Sequence, residues 1–271
     1  MTILVTNDDG ISAPGLTHLY TAMVNISRDV TVLAPTTEQS GSSSSLGSFD
    51  AGNGISVQEL SREACFQQVR RFSVDAPPAL AVRAACLELF GRKPRIVLSG
   101  INSGFNTGRL VVHSGTAGAA LTAASLGVSG VAISTSSDAR DGLASAAAIA
   151  QIVVRELETV GYPSVALNIN VPDRPLEAVK GVRFATLGTV SLTSLDITLQ
   201  GGSLLSARRN IPPPYDIGSD SNYVDLGYIS VTVLPLPWTT YHHVGDELQS
   251  GIVAGWELMQ ELNSSTESDR T

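Results

Sequence analysis

Ile3-Leu4-Val5-Thr6-Asn7-Asp8-Asp9-Gly10 puts a short aliphatic run directly in front of an amide, two carboxylates and a glycine. The run reads as a buried strand, and the polar cluster reads as the turn that ends it. Ile96-Val97-Leu98 repeats the plan and leads into Ser99-Gly100-Ile101-Asn102-Ser103-Gly104-Phe105-Asn106-Thr107-Gly108. Open α/β sheets bind ligands at the carboxyl ends of their strands, so both clusters stand where a site would form. Paired carboxylates at one strand end and glycine-spaced asparagines at another suggest a hard-cation site beside an anion pocket.

Outward from these stretches, residues 2–135 alternate short β-branched runs with longer amphipathic or alanine-rich segments, the pattern of a parallel sheet with crossover helices. The pattern predicts strands near 2–6, 29–34, 66–73, 95–99 and 129–134, and helices near 14–26, 77–90, 115–127 and 140–159. Val165–Asn170 adds a strand that Pro172 stops. Thr36–Gly54, rich in Ser and Gly, reads as a functional loop, because the elements after it belong to the same sheet. Beyond Pro172 the chain changes character. Gly181–Thr198 and Tyr228–Leu234 read as extended segments of a β-rich arm suited to subunit contacts, and Gly245–Leu262 as a closing helix. The expected division is therefore a catalytic core over 1–172, an arm and helix over 173–262, and a disordered polar tail over 263–271.

Composition narrows the function classes. The 271 residues are 43% hydrophobic and 15% charged, and they carry a net charge of −8. That balance argues against a nucleic-acid polymer as partner and leaves a small phosphorylated ligand open. Cys65 and Cys86 lack metal-type spacing and read as reduced core residues of a cytoplasmic protein. The first residues show no signal-peptide pattern, and no apolar stretch approaches the roughly 18 residues of a membrane helix.

Adjacent strand residues point to opposite faces, so Asp8 and Asp9 can share a ligand only where the backbone turns, and Gly10 permits that turn. The alternative is local: Asp9 or Ser12 caps the helix beginning near Pro14. Two carboxylates in a dry crevice repel each other and call for a cation. Oxygen ligands without His or Cys suit magnesium, manganese or calcium. Ser40, inside Glu38-Gln39-Ser40-Gly41, and Asn102 could complete the set, although Ser40 also reads as one more polar residue of a serine-rich loop. The glycines at 100, 104 and 108 let backbone approach a ligand while Asn102 and Asn106 offer amides; an irregular surface turn is the alternative. Neither a Walker loop nor a dinucleotide fingerprint is present. His113-Ser114-Gly115-Thr116 precedes an alanine-rich helix, where Ser114 and Thr116 are credible caps and the free amides form a ready anion site. A cation among these groups would polarise a phosphoryl oxygen and generate the nucleophile from water, with Asp9 placed to orient or deprotonate it.

Taken in order, these segments resemble the SurE survival-protein family of metal-dependent 5′/3′-nucleotidases. The matching pieces are Ile3–Ile11, Ala34-Pro35 followed by Gln39-Ser40-Gly41, Ser99–Gly108 and His113–Thr116, then Leu167-Asn168-Ile169-Asn170-Val171-Pro172, and Asp220 followed by Gly227–Thr232. The resemblance implies a Rossmann-like three-layer α/β sandwich with a mostly parallel sheet, and a C-terminal arm exchanged within a homodimer or homotetramer. It implies hydrolysis of nucleoside monophosphates with one divalent cation per subunit, magnesium or manganese. By position, Asp8, Asp9, Ser40 and Asn102 would hold the metal, with Asp8 and Asp9 catalytic. Asn7, Asn106, Ser114, Gly115 and Thr116 would contact the phosphate or substrate. Three departures bear on substrate preference: Ser44 stands for a family His, Ala79 for an Asp and Thr122 for a Glu. They leave two rivals, a phosphatase for a non-nucleotide metabolite and a non-catalytic metal- and anion-binding protein.

Other residues have mostly local readings. His113 is a candidate proton donor to the leaving group, and Arg109 meets either phosphate or a surface carboxylate. Arg208-Arg209 reads as a solvated charge pair, Asp138 and Asp141 as caps of the helix at 140–159, and His242 and His243 as exposed or interface residues.

Overall fold

Ile3 and Val5 point to one side of strand β1 (Thr2–Thr6) and Leu4 to the other, and all three are buried. A strand apolar on both faces needs helices on both, and the computed structural model, which describes residues 1–48, 54–62, 66–236 and 245–268 with side chains to 265, shows that arrangement. Cys65, His242, His243 and residues 269–271 lie outside the described residues.

After β1 come α1 (Pro14–Val24), β2 (Asp29–Pro35), β3 (Val57–Glu59), β4 (Arg70–Val74), α2 (Pro78–Cys86) and β5 (Ile96–Ser103). Then follow α3 (Gly115–Ser125), β6 (Ser129–Thr135), α4 (Gly142–Thr159) and β7 (Ala166–Val171). The remainder forms β8 (Val182–Phe184), β9 (Thr193–Gln200), β10 (Ser203–Asn210), α5 (Asp220–Asp225), β11 (Ile229–Val233) and α6 (Asp246–Ser268). The main sheet has the order β3-β4-β2-β1-β5-β6-β7-β11-β8. Its pairs are parallel except β3 with β4 and β11 with β7. Leu16, Leu19 and Met23 of α1, Val153 of α4 and Trp256 of α6 cover one face; Val82 of α2 and Ala119 and Ala123 of α3 cover the other. This is the three-layer α/β fold expected from the sequence.

The strand order fixes the position of the site. From β1 the chain winds through β2 and β4 to one side, then returns through β5, β6 and β7 on the other. The reversal leaves a crevice beyond the carboxyl ends of β1 and β5. Because Val5 pairs with Leu98 and Thr6 with Ser99, the Asn7-Asp8-Asp9 turn and the Gly100–Gly108 segment leave the sheet side by side.

Several expected boundaries move. The helix foreseen to residue 90 ends at Cys86, after which Leu87 and Leu89 are exposed and Glu88 takes a φ of 63°. The strand foreseen from residue 66 begins at Arg70, and the short edge strand β3 was not anticipated. The sheet crosses the division expected at residue 172, since β11 pairs with the open edge of β7 and β8 with β11. Among the described residues only the β9–β10 hairpin forms a separate two-stranded sheet. Residues 263–268, expected as disordered tail, continue α6 without a glycine or proline to stop it, and Ser264 and Ser265 donate to the carbonyls of Glu261 and Leu262. Asp141 stands at the N-cap of α4 without a side-chain capping bond; instead Asp173 Oδ1 accepts from the amides of Arg140, Asp141 and Gly142 at 3.0, 3.0 and 2.8 Å. Among the described residues no helix is long and apolar enough to cross a membrane.

Candidate functional site

Thr6 is the last residue of β1, and the two carboxylates after it part company. Asp8 is 3% exposed and turns toward the start of α3. There Thr116 donates twice, its hydroxyl to Oδ1 at 2.5 Å and its amide to Oδ2 at 3.1 Å. Gly115 makes this approach possible, because a Cβ at that position would lie 2.8 Å from Asp8 Oδ2 and 2.6 Å from Ser42 Oγ. Asp9 is half-buried and accepts from the Ser103 amide at 3.3 Å, which ties β1's turn to the end of β5. No side chain caps α1, which begins on Pro14, so neither Asp9 nor Ser12 has the capping role left open by the sequence.

Burial shifts both acids. It holds the Asp8 carboxyl above the ordinary carboxylate range, opposed mainly by the Thr116 donations. Burial and then the Asp8 charge push Asp9 up to about 6, and the Arg208 charge pulls it part of the way back. Glu38 raises both and stands at the same cavity, a third carboxylate whose role the sequence reading did not assign. Negative charges facing one cavity raise one another's pKa, and a cation would relieve them.

The four expected oxygen donors do converge. Asp8, Asp9, Ser40 and Asn102 all line one cavity of about 550 Å³. The Gln39 amide donates to the Asp8 carbonyl at 2.7 Å and the Ser40 amide to Glu38 Oε1 at 2.9 Å, so the serine-rich loop is folded against the acidic turn. A register shift between Ser99 and Asn102 re-aims β5 at its end. The Asn102 amide nitrogen, as assigned from its hydrogen bonds, donates to the Gly104 carbonyl at 2.6 Å and leaves its oxygen for the cavity. Carboxylate, amide and hydroxyl oxygens fit a hard divalent cation. Among the described residues no group of three or more His, Cys, Asp or Glu side chains is arranged for a metal.

The phosphate candidates divide. Asn106 and Ser114 line the cavity together with His113. Ser114 also caps α3, accepting from the Ala117 amide at 3.1 Å, so capping and a place at the cavity coexist. Gly115 and Thr116 stand behind Asp8 and shape its position. Asn7 is fully buried and donates to the Gly10 carbonyl at 3.0 Å, so it braces the turn from inside. Ser42 Oγ, close to Gly115, is buried with no hydrogen-bond partner among the described residues.

Asn106 is held by residues whose role had not been read. Its amide donates to Asn170 Oδ1 at 2.8 Å, and its carbonyl accepts from Asn168 and Asn170 at 2.8 and 3.0 Å. Its side chain donates to Ser134 Oγ at 2.9 Å. Cross-strand pairing sets Asn102, Ser134, Asn170 and Ser230 in one row over β5, β6, β7 and β11, all buried. Asp220, fully buried, closes the far side of the loop by accepting from the amides of Gly108, Gly188 and Ser221. The alternating Asn-Ile-Asn of β7 was the available signal for the first group; nothing local marked Asp220 as a brace.

Two other expectations change. Arg109 does not line the cavity, and its charge acts on Asp216. Arg208 and Arg209 are both exposed, as a solvated pair should be, but they diverge: Arg209 binds Asp196 and Arg208 lines the cavity. Ser44, Ala79 and Thr122 lie outside the cavity lining. Ser44 and Thr122 both donate to the Gly118 carbonyl, and Ala79 is buried in α2. A second hollow of about 460 Å³ between α1 and α4, with His18 and Gln151 in its wall, holds no carboxylate.

Comparison with known proteins identifies the family. The family profile "Survival protein SurE" matches residues 3–194, the span that carries the acidic turn, the serine loop and the glycine-asparagine segment. The "5′-nucleotidase SurE 1" of Burkholderia lata is 37% identical over 254 residues, covering 89% of this chain and 92% of that protein. The "5′-nucleotidase SurE" of Carboxydothermus hydrogenoformans is 34% identical over 266 residues, 94% of this chain and 97% of that protein. Among solved structures, the SurE protein of Aquifex aeolicus superposes with a TM-score of 0.73 at 27% identity, covering 89% of this chain and 96% of that one. With the profile spanning most of the sheet and these relatives matched over nearly their whole lengths, the chain belongs to the SurE survival-protein family.

Proposed function

We propose that this protein hydrolyses nucleoside 5′- and 3′-monophosphates to nucleoside and phosphate, with one divalent cation, magnesium or manganese, held by Asp8, Asp9, Ser40 and Asn102. The observation that carries the reading is the convergence of these four oxygen donors, from three separate segments, on one open cavity at the sheet's switch point. The names of the relatives support the substrate class. When bound there, the cation supplies Lewis acidity toward a phosphoryl oxygen and acidity to the attacking water.

The chain's residues do the rest. Thr116 fixes the orientation of Asp8, and Asp9 orients the water or accepts its proton. Asn106 and Ser114 offer donors to phosphoryl oxygens. A new bond forms between the water oxygen and phosphorus, the ester P–O bond breaks, and the leaving oxygen takes a proton, with His113 at the cavity mouth as its donor. Because the three departures from the family pattern lie outside the cavity lining, they give no specific support to a non-nucleotide substrate.

The test is phosphate release from nucleoside monophosphates with added manganese and with a chelator. Activity that needs the metal and is lost in Asp8→Asn is expected; an Asp8→Asn protein as active as the parent would refute the assignment. The same reading includes a homodimer or homotetramer, supported by the exposed Ile197, Leu199 and Leu204 on the hairpin, and checked by light scattering. A cytoplasmic setting accords with the free thiol of Cys86.

A further inference from the structure

Strand alternation sends Arg208 and Arg209 of β10 to opposite faces of the hairpin. Arg209 is committed on the outer face, where its Nε lies 2.8 Å from Asp196 Oδ2. Arg208 faces the cavity, cross-strand from Leu195 and two residues from Ser206, both of which also line it. Its guanidinium lies over Gly104, with Nη1 the atom nearest to where a Cβ would stand. Its Nη1 lies 3.5 Å from the Ser103 carbonyl, too far for a strong bond, and Arg208 makes no ion pair among the described residues. Ser103 is also the residue whose amide reaches Asp9. A guanidinium with unspent donors therefore stands one residue away from the acidic pair, and it is the only arginine or lysine among the residues lining this cavity.

We propose that Arg208 is a substrate-binding residue of the hydrolase described above, taking two non-bridging oxygens of the phosphoryl group in its planar fork. The proposal rests on that reading. A divalent cation balances Asp8 and Asp9, which leaves the phosphate dianion and Glu38 against donors that are otherwise neutral. Arg208 supplies the missing positive charge, in a two-donor geometry that lysine lacks. The β9–β10 hairpin is then part of the site, and its position sets whether the pocket can hold phosphate.

The experiment compares Arg208→Ala, Arg208→Lys and Arg209→Ala with the parent, in the full chain. Steady-state hydrolysis of a nucleoside monophosphate is one readout, and calorimetric binding of inorganic phosphate, with and without manganese, is the other. Arg208→Ala is expected to lose roughly 100-fold in kcat/KM and to bind phosphate at least about tenfold more weakly, as for loss of one charged donor at a developing anion. Arg208→Lys recovers part of the loss by restoring the charge without the fork. Arg209→Ala breaks the outer pair and stays within about twofold of the parent, since an exposed pair contributes little. Equal activity and equal phosphate binding in Arg208→Ala would overturn the proposal. So would an Arg209→Ala loss as large as that of Arg208→Ala, because hairpin placement would then explain both. If the parent hydrolyses no phosphomonoester, the functional reading fails. The Arg208 assignment is then decided by phosphate binding alone and falls unless the parent binds phosphate and Arg208→Ala weakens it.

Discussion

Asp9→Asn is expected to make the metal-free protein more stable while it abolishes hydrolysis. Burial and the neighbouring Asp8 charge raise the Asp9 carboxyl from 3.8 to about 6. At about 1.4 kcal/mol per pH unit, an ionised Asp9 costs the metal-free fold at most about 3 kcal/mol, and solvent screening of its open side brings this to roughly 1–2 kcal/mol. The folded-state value lies above the unfolded one, so the protonated carboxyl's contribution is complete below about pH 4 and disappears as pH rises through about 6. The advantage of Asn over Asp therefore grows across that window. Thermal unfolding with a chelator at pH 8 should show Asp9→Asn melting several degrees above the parent, at about 2–4 °C per kcal/mol for a chain of this size. At pH 5 the gap should shrink to roughly half. Saturating manganese should reverse the order, because only the parent gains binding free energy through an intact acidic pair. A parent as stable as Asp9→Asn at pH 8 without metal would show that the two carboxylates are not in conflict, and the physical case for a cation would fall.

Gly115→Ala would put a methyl group against Asp8 Oδ2 and Ser42 Oγ, at 2.8 and 2.6 Å. Hydrolysis should fall more than about tenfold with the circular dichroism unchanged, because a displaced carboxylate no longer meets its partners. Asn170→Ala removes the acceptor of the Asn106 amide and one donor to its carbonyl. It should cost about 1–3 kcal/mol in urea unfolding and lower kcat/KM, with Asn168 still holding the carbonyl. Asp220→Asn leaves one oxygen for three amide donors, so roughly 2–3 kcal/mol of stability should be lost, measured the same way.

The core of the fold was legible because its signals are local. Ile3-Leu4-Val5 and Ile96-Val97-Leu98 are apolar on both faces, which only a sheet covered twice can bury. The acidic turn and the glycine-asparagine segment were legible for the same reason, each complete within one short run. What was hidden depended on distant partners. An extended segment looks alike whether it joins a sheet or projects from it, and the free edge of β7 decided the matter for β11 and β8. The α4 cap comes from Asp173, 31 residues beyond the helix start at Gly142, and no local pattern announces it. Arg208-Arg209 reads in sequence as one charged pair; only the strand and the seating of the hairpin show that they diverge and which of them meets the cavity.

Leu167-Asn168-Ile169-Asn170-Val171 makes the sharpest case. Strict alternation of apolar and polar residues ordinarily describes a strand with one wet face. Here both asparagines are 0% exposed, so the polar face is as dry as the apolar one. Burying amides is costly unless each finds a partner, and a fold that needed only stability would put valines there. The partners found are the main chain of Asn106 and, through it, the loop that also carries Asn102. Within the polar row, Ser134 and Asn170 thus have a use at the site, where they help hold an otherwise irregular glycine-rich loop in place. From sequence the run reads as one more apolar strand; the meaning of its asparagines depended on what lay above it.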